Sequence, residues 1–295
     1  MKIGSHAHKQ LFCSMFVDHH RPYEPAELGW PVLDDDALAL LRGLPFWTHA
    51  LQAEEDAGPM ITACAALEPD VTVRRALELQ AFEETRHAGI IKHMIDLYGL
   101  HADEVRVEIP ADVLDAFIDF GFEECLDSFG AFGLFKLARQ HLRMPAALFD
   151  IFDRVMQEEA AHIVFFLNWF AYRQANRGRL PSAVRHVTAL RHYLRAMRKL
   201  AGLAFGDDGS EGKDFIVSGA DAFVENLTPA VVLAACLEEN ARRLAGFDRR
   251  LLVPRLAPRL ARVALGVLTR LPHRGTRRDA SPTAHGAPSG ARRLR

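Results

Sequence analysis

Glu83-Glu84-Thr85-Arg86-His87 and Glu158-Glu159-Ala160-Ala161-His162 repeat one pattern: two adjacent acids, then a histidine three residues after the second. On an α-helix a step of three returns to the same face, so Glu84 stands beside His87 and Glu159 beside His162. Each stretch lies within a longer apolar periodicity. Through the first pair it reads Val73, Leu77, Gln80, Glu84, His87, Ile91, Met94; through the second, Leu148, Phe152, Val155, Glu159, His162, Phe166, Trp169. Apolar residues on either side turn both Glu–His pairs towards a core. With 18 Glu and 14 His in 295 residues one Glu-x-x-His is expected by chance, so the weight rests on this register.

Two further segments carry a single inward acid. One stripe reads Trp47, Leu51, Glu54, Gly58, Ile61, Ala65, and the other Leu114, Phe117, Gly121, Glu124, Ser128, Ala131, Phe135. The periodicity predicts long helices at 45–67, 71–98, 110–140 and 145–176, with no period-two strand pattern anywhere. Glu55, Glu83, Glu123 and Glu158 fall on more polar registers than Glu54, Glu84, Glu124 and Glu159; the preference is narrowest for Glu54 over Glu55. Short connections make the first and last helix pairs antiparallel hairpins. The intervening GLHADEVRVEI, fully extended, spans about 36 Å, enough to return along a bundle. Glu54 and Glu84 are nearly symmetric about Pro69-Asp70, as are Glu124 and Glu159 about residues 141–144, so each pair meets at one height.

Four buried acids close together repel one another and are driven to protonate, at about 1.4 kcal/mol per pKa unit. Two divalent cations offset the four negative charges, and two neutral imidazoles complete the shell. The acids and imidazoles are therefore read as metal ligands: Glu54, Glu84, His87, Glu124, Glu159 and His162. Nitrogen and oxygen donors in this ratio, without thiolates, suit iron or manganese.

Residues 45–176 resemble the ferritin-like di-iron carboxylate superfamily, with Glu on the first helix, Glu-x-x-His on the second, Glu on the third and Glu-x-x-His on the fourth. The resemblance implies an all-α, ferritin-like four-helix bundle with additional C-terminal helices. It implies two iron ions, manganese being an alternative at one site: Glu54, Glu84 and His87 on one ion, and Glu124, Glu159 and His162 on the other, two carboxylates bridging. The activity implied is that of an O2-activating oxygenase or oxidase that hydroxylates, desaturates or N-oxygenates a small, largely apolar substrate. Alternatives within the superfamily are a ferroxidase or peroxide-detoxifying protein and a tRNA-modifying hydroxylase. The chain departs from ribonucleotide reductase small subunits, which place a radical Tyr where Ile91 stands. Storage ferritins lack the second Glu-x-x-His, and the four-Cys module of rubrerythrins is missing here. Ser128, one turn after Glu124, matches a hydroxyl residue that related oxygenases carry near the oxygen, so it is the candidate catalytic residue. Ala57, Gly58, Gly121, Ser128 and Ala131 are expected to leave room for O2 and substrate. Without a Rossmann or P-loop signature, electrons are expected from a ferredoxin, a separate reductase or the substrate.

The rest of the chain is less specific. Residues 1–44 read as an N-terminal cap segment, irregular over 1–35, in which Asp34-Asp35-Asp36 offers an N-cap to a short helix. Gly58-Pro59 predicts a kink in the first long helix. Residues 177–271 read as a C-terminal helical extension with helices near 181–204, 229–246 and 254–271, and 272–295 as a disordered basic tail. Asp70 and Thr228 are expected N-caps. Cys13, Cys64, Cys125 and Cys236 are scattered without metal-ligand spacing, and no run approaches the roughly 18 apolar residues of a membrane span, so a reducing cytoplasm is expected. The net charge of −2 conceals an asymmetry: Arg249 to Arg295 holds twelve Arg and one acid, a charge of +11 against −13 for residues 1–248. Such a tail suits either solvation or contact with an anionic membrane or RNA. The expected partners are thus O2, a small-molecule substrate and an external electron donor, with a homodimer compatible.

Overall fold

The computed structural model describes residues 1–177, 182–205 and 228–270, with side chains described from 187 to 199 in the middle segment. The Gly/Asp-rich stretch 206–214 and the tail 272–295 lie outside the described residues. The described chain is helical, with no strand among the described residues. Four long helices surround one interior: α3 (Trp47–Ala66), α4 (Val71–Tyr98), α5 (Val113–His141) and α6 (Ala146–Asn176). They are preceded by α1 (His6–His19) and α2 (Asp35–Arg42), and followed by α7 (Ser182–Phe205), α8 (Pro229–Leu244) and α9 (Leu256–Leu268).

Local chemistry marks the ends. Asp34 accepts from the Ala37 amide, Asp70 from the Thr72 and Val73 amides, and Thr228 from the Val231 amide, so the three expected N-caps form. Gly99 ends α4 at φ 60°, the left-handed conformation that glycine adopts without a Cβ clash.

Packing runs in a square, α3 on α4, α4 on α6, α6 on α5 and α5 on α3. Trp47 clusters with Met94 and Tyr98, and Ala65 with Val73, so α3 and α4 are antiparallel. Phe117 meets Trp169 while Phe135 meets Phe149, which makes α5 and α6 antiparallel as well. Residues 99–112 then return along the outside of α3. The amides of Asp103, Arg106 and Glu108 donate to the side chains of Thr48, Gln52 and Asp56, and Gln52 donates back to the Arg106 carbonyl. Thr48, Gln52 and Asp56 are spaced by four, one face of α3, so this helix guides the crossover along its length.

The N-terminal segment differs from the irregular stretch expected. α1 lies against α4 and α6 and inserts Phe12 and Phe16 beside Phe165, covering a side of the bundle. Its stripe is disguised because it includes two polar residues, His8 and Lys9. The His8 ring Nε2 is 3.0 Å from Asn168 Oδ1, and the Lys9 ammonium pairs with Asp70. At the other end of the chain, α7 and α8 pack on α5, and α9 packs on α8. Gly133 of α5 allows this approach, since a Cβ there would collide with Cys236 of α8. No helix among the described residues is long and apolar enough to cross a membrane.

Candidate metal centre

Midway along the four helices the apolar interior gives way to carboxylates and imidazoles. Glu54 of α3, Glu84 and His87 of α4 and Glu159 of α6 each place a donor atom within 4.8 Å of all the others. His162 of α6 joins them, its Nδ1 lying 3.1 Å from Glu84 and 3.3 Å from Glu159. Glu124 of α5 lines the adjoining cavity, near enough to Glu159 and Glu84 for their charges to act on it. Four of the six residues expected as ligands thus form one group, with His162 against it and Glu124 on the wall of the adjoining cavity. Glu55 points away and pairs with Lys92 at 2.5 Å on the surface, and Glu123 pairs with Lys199 at 2.5 Å.

The imidazoles show what the arrangement is suited to hold. His87 Nδ1 stands 3.0, 3.5 and 3.7 Å from oxygens of Glu159, Glu84 and Glu54. It makes a hydrogen bond with none of them, and neither does His162 Nδ1 with its two neighbours. Both nitrogens, with Glu159 Oε2, are buried and lack a well-aligned hydrogen bond, although the carboxylates stand within ion-pair distance. Donors about 2.0–2.2 Å from a common cation sit about 3.0–3.5 Å from each other; the spacings to Glu159 and Glu84 lie in that range and that to Glu54 is slightly wider. The residues present thus fit a metal ion.

Glu83 and Glu158, placed on more polar registers than their neighbours, are nevertheless buried. Glu83 and Glu158 are 2% and 7% exposed, and each takes the outer nitrogen of the histidine on the other helix. His87 Nε2 is 2.8 Å from Glu158 and His162 Nε2 is 2.8 Å from Glu83. A neutral imidazole has one N–H; donating it from Nε2 leaves the Nδ1 lone pair facing the centre. Glu158 is itself held by the Tyr23 hydroxyl at 2.8 Å and the Arg86 guanidinium at 2.7 Å, and Glu83 by the His20 ring at 2.6 Å. Register analysis missed these acids because adjacent positions on a helix differ by only about 100°, and here α4 and α6 are buried on both faces.

Without a cation the electrostatics are strained in the expected sense. Burial pushes Glu54 up to about 7, only partly countered by His87. Burial and the nearby Glu159 and Glu84 raise Glu124 well above the ordinary carboxylate range. Burial lowers the affinity of His87 and His162 for protons, but the surrounding carboxylates outweigh it and hold both well above the usual imidazole value. Glu84 and Glu159 also lose solvation, yet His162 keeps both below the ordinary value.

A cavity of about 220 Å3 opens beside the centre, lined by Glu54, Glu84, His87, Glu124, Glu159 and the buried Ser128 among others. Ala57, Ser128 and Ala131 border it, as expected of small residues near the ligands. Gly58 and Gly121 do not create space: their open positions are filled by Thr85 and by the Phe166 ring. His49 lines the cavity wall, whereas the His93 ring lies tilted against Trp30 and His141 is exposed. No protein-family model matches the chain, and no curated protein or solved structure matches it either.

Proposed function

We propose that this chain is an oxidoreductase of the ferritin-like di-iron type, which uses O2 to oxidise a small, largely apolar molecule. The observation that supports it is the pair of inward Nδ1 atoms set among the carboxylates of Glu54, Glu84 and Glu159, from three helices. Glu54, Glu84, His87, Glu124, Glu159 and His162 would hold two metal ions, with iron favoured by the nitrogen and oxygen donor set. When bound, the two ions supply the reduction of O2 and the oxidation of substrate.

The remaining tasks fall to the chain itself. Glu158 and Glu83 orient the two imidazoles and keep their Nδ1 lone pairs inward. Phe46, Trp47, Phe120 and Phe132 keep water from the cavity and offer an apolar contact surface, which favours an organic substrate over free iron as the reductant. The Ser128 hydroxyl, one helical turn from Glu124, is placed to accept or return a proton at the cavity wall. Electrons come from an external donor or from the substrate.

Purified protein loaded anaerobically with Fe(II) and then exposed to O2 tests this reading. Two tightly held irons per chain and O2 consumption that accelerates with an apolar substrate are expected. Turnover of many Fe(II) per chain would establish a ferroxidase instead, and failure to bind metal would overturn both.

A further inference from the structure

The last described helix is turned the wrong way round for a packing element. α9 rests on α8 and α5, and its buried residues are the small Pro258 and Ala261. Three of its larger aliphatic side chains face solvent instead: Leu260, Val263 and Val267 are 50%, 68% and 54% exposed. They recur at spacings of three and four, so they form one ridge along the helix. A helix retained for the core alone shows the reverse, with its bulk inward.

Beside the ridge runs a second row. Arg255, Arg259 and Arg262 recur by four and three, and all are exposed. Leu260 and Val263 each follow one of these arginines directly in the chain. One residue along a helix is about 100° around it, so ridge and arginines lie side by side on the outward half. Arg242, Arg243 and Arg250 pair with Glu239, Asp153 and Asp248, whereas these three arginines meet no acid among the described residues. The sequence holds no acid at all from Arg249 to Arg278.

The two rows narrow the choice of partner. RNA would take up the arginines, but α9 has no aromatic side chain on which a base could stack, and the ridge would stay in water. Three partly exposed aliphatic side chains fall far short of the about 800 Å2 per partner that a stable protein interface buries. An anionic bilayer uses both rows at once. With α9 lying flat, the ridge enters the acyl boundary and the arginine stems reach lipid phosphates and carboxylates at headgroup depth.

We propose that α9 is an interfacial anchor that seats this face of the protein on an anionic lipid surface, with Leu260, Val263 and Val267 inserted and Arg255, Arg259 and Arg262 among the headgroups. The anchor is independent of the oxidative function proposed above.

Co-sedimentation of the full-length protein with lipid vesicles tests it. Phosphatidylcholine vesicles carrying about one-third phosphatidylserine should bind about a hundredfold more tightly than phosphatidylcholine alone, each arginine contributing about fivefold. The gap should narrow as salt is raised. Arg259→Gln combined with Arg262→Gln should weaken binding to the anionic vesicles about 25-fold. Val263→Asn combined with Val267→Asn leaves every arginine in place and should weaken it about tenfold. All four sites are exposed, so helical circular dichroism should not change. The four native cysteines are buried, so a polarity-sensitive dye on Leu260→Cys reports on the ridge. Its emission should move to the blue on anionic vesicles and be quenched by lipid brominated in its acyl chains. Equal binding to both kinds of vesicle overturns the proposal, as does a dye that stays in water. Unchanged binding in the double valine variant overturns it too, assigning the attraction to charge without insertion. A dimer in the parent protein that the valine substitutions dissolve, with vesicle binding intact, gives the ridge to a second copy and likewise overturns it.

Discussion

Two layers of the same interior, one turn to two turns apart on α6, are held together by opposite means. Below Glu159 and His162 lie Phe166, Trp169 and Phe170, which meet Phe117 and Phe122 of α5 edge to face at ring separations of 4.9–5.9 Å. Each of these rings gains by leaving water, and each is complete once its neighbours are in place. The carboxylate layer is built on the same four helices and is nearly as buried. Left to itself it holds raised acids, raised imidazoles and buried donor atoms without a well-aligned hydrogen bond. The aromatic layer is thus a source of stability, and the acid layer draws on it. Such a layer is stabilised when a cation from outside the chain completes it, which supports the function proposed above.

The largest effect expected is on metal retention. His162→Ala removes a donor and leaves Glu83 with the His20 ring alone, so metal content should fall from about two ions per chain to one or none, read by elemental analysis after gel filtration. In the aromatic layer, Phe166→Ala should cost about 3–5 kcal/mol of unfolding free energy. That loss should be the same with and without chelator, since no ligand depends on the ring; a loss that vanished in chelator would erase the distinction between the layers. Glu158→Gln keeps the shape but weakens the hold on His87, and metal affinity should drop about 10–100-fold in competition with a chromophoric chelator.

The smallest effect sharpens the comparison most, because its sign reverses. Glu124 has a folded pKa raised by burial and by its acidic neighbours. The folded protein therefore holds that proton at pH values where the unfolded chain has released it. Metal-free stability is lost as pH rises through the interval between the unfolded and folded values. Glu124→Gln removes that slope: the metal-free variant should be more stable than the parent at neutral pH and equal to it near pH 4. With metal bound the order should invert, as melting temperatures at the two pH values would show.

Much of this site is legible without coordinates because its signals are local. A 3.6-residue period places Glu54, Glu84, Glu124 and Glu159 on inward faces, and a spacing of three sets each histidine beside its acid. Equal distances from the two turns put the acids at one height, and Asp70 and Thr228 announce helix starts through their own side chains. Other features escape a reading of one helix at a time. The period could not find a use for Glu83 and Glu158, whose partners sit 79 and 71 residues away on another helix. It could not foresee that Phe166 fills the notch at Gly121, nor that His8 and Lys9 are buried against Asn168 and Asp70 and so conceal α1.

The sequence by itself determined that Glu54, Glu84, His87, Glu124, Glu159 and His162 share the inward stripes of their helices, since that depends only on the pitch of the helix that bears them. Tertiary structure alone decided which atoms face one another across the gap. That choice belongs to the height and rotation at which separate helices dock, and these are settled by the whole packed interior at once.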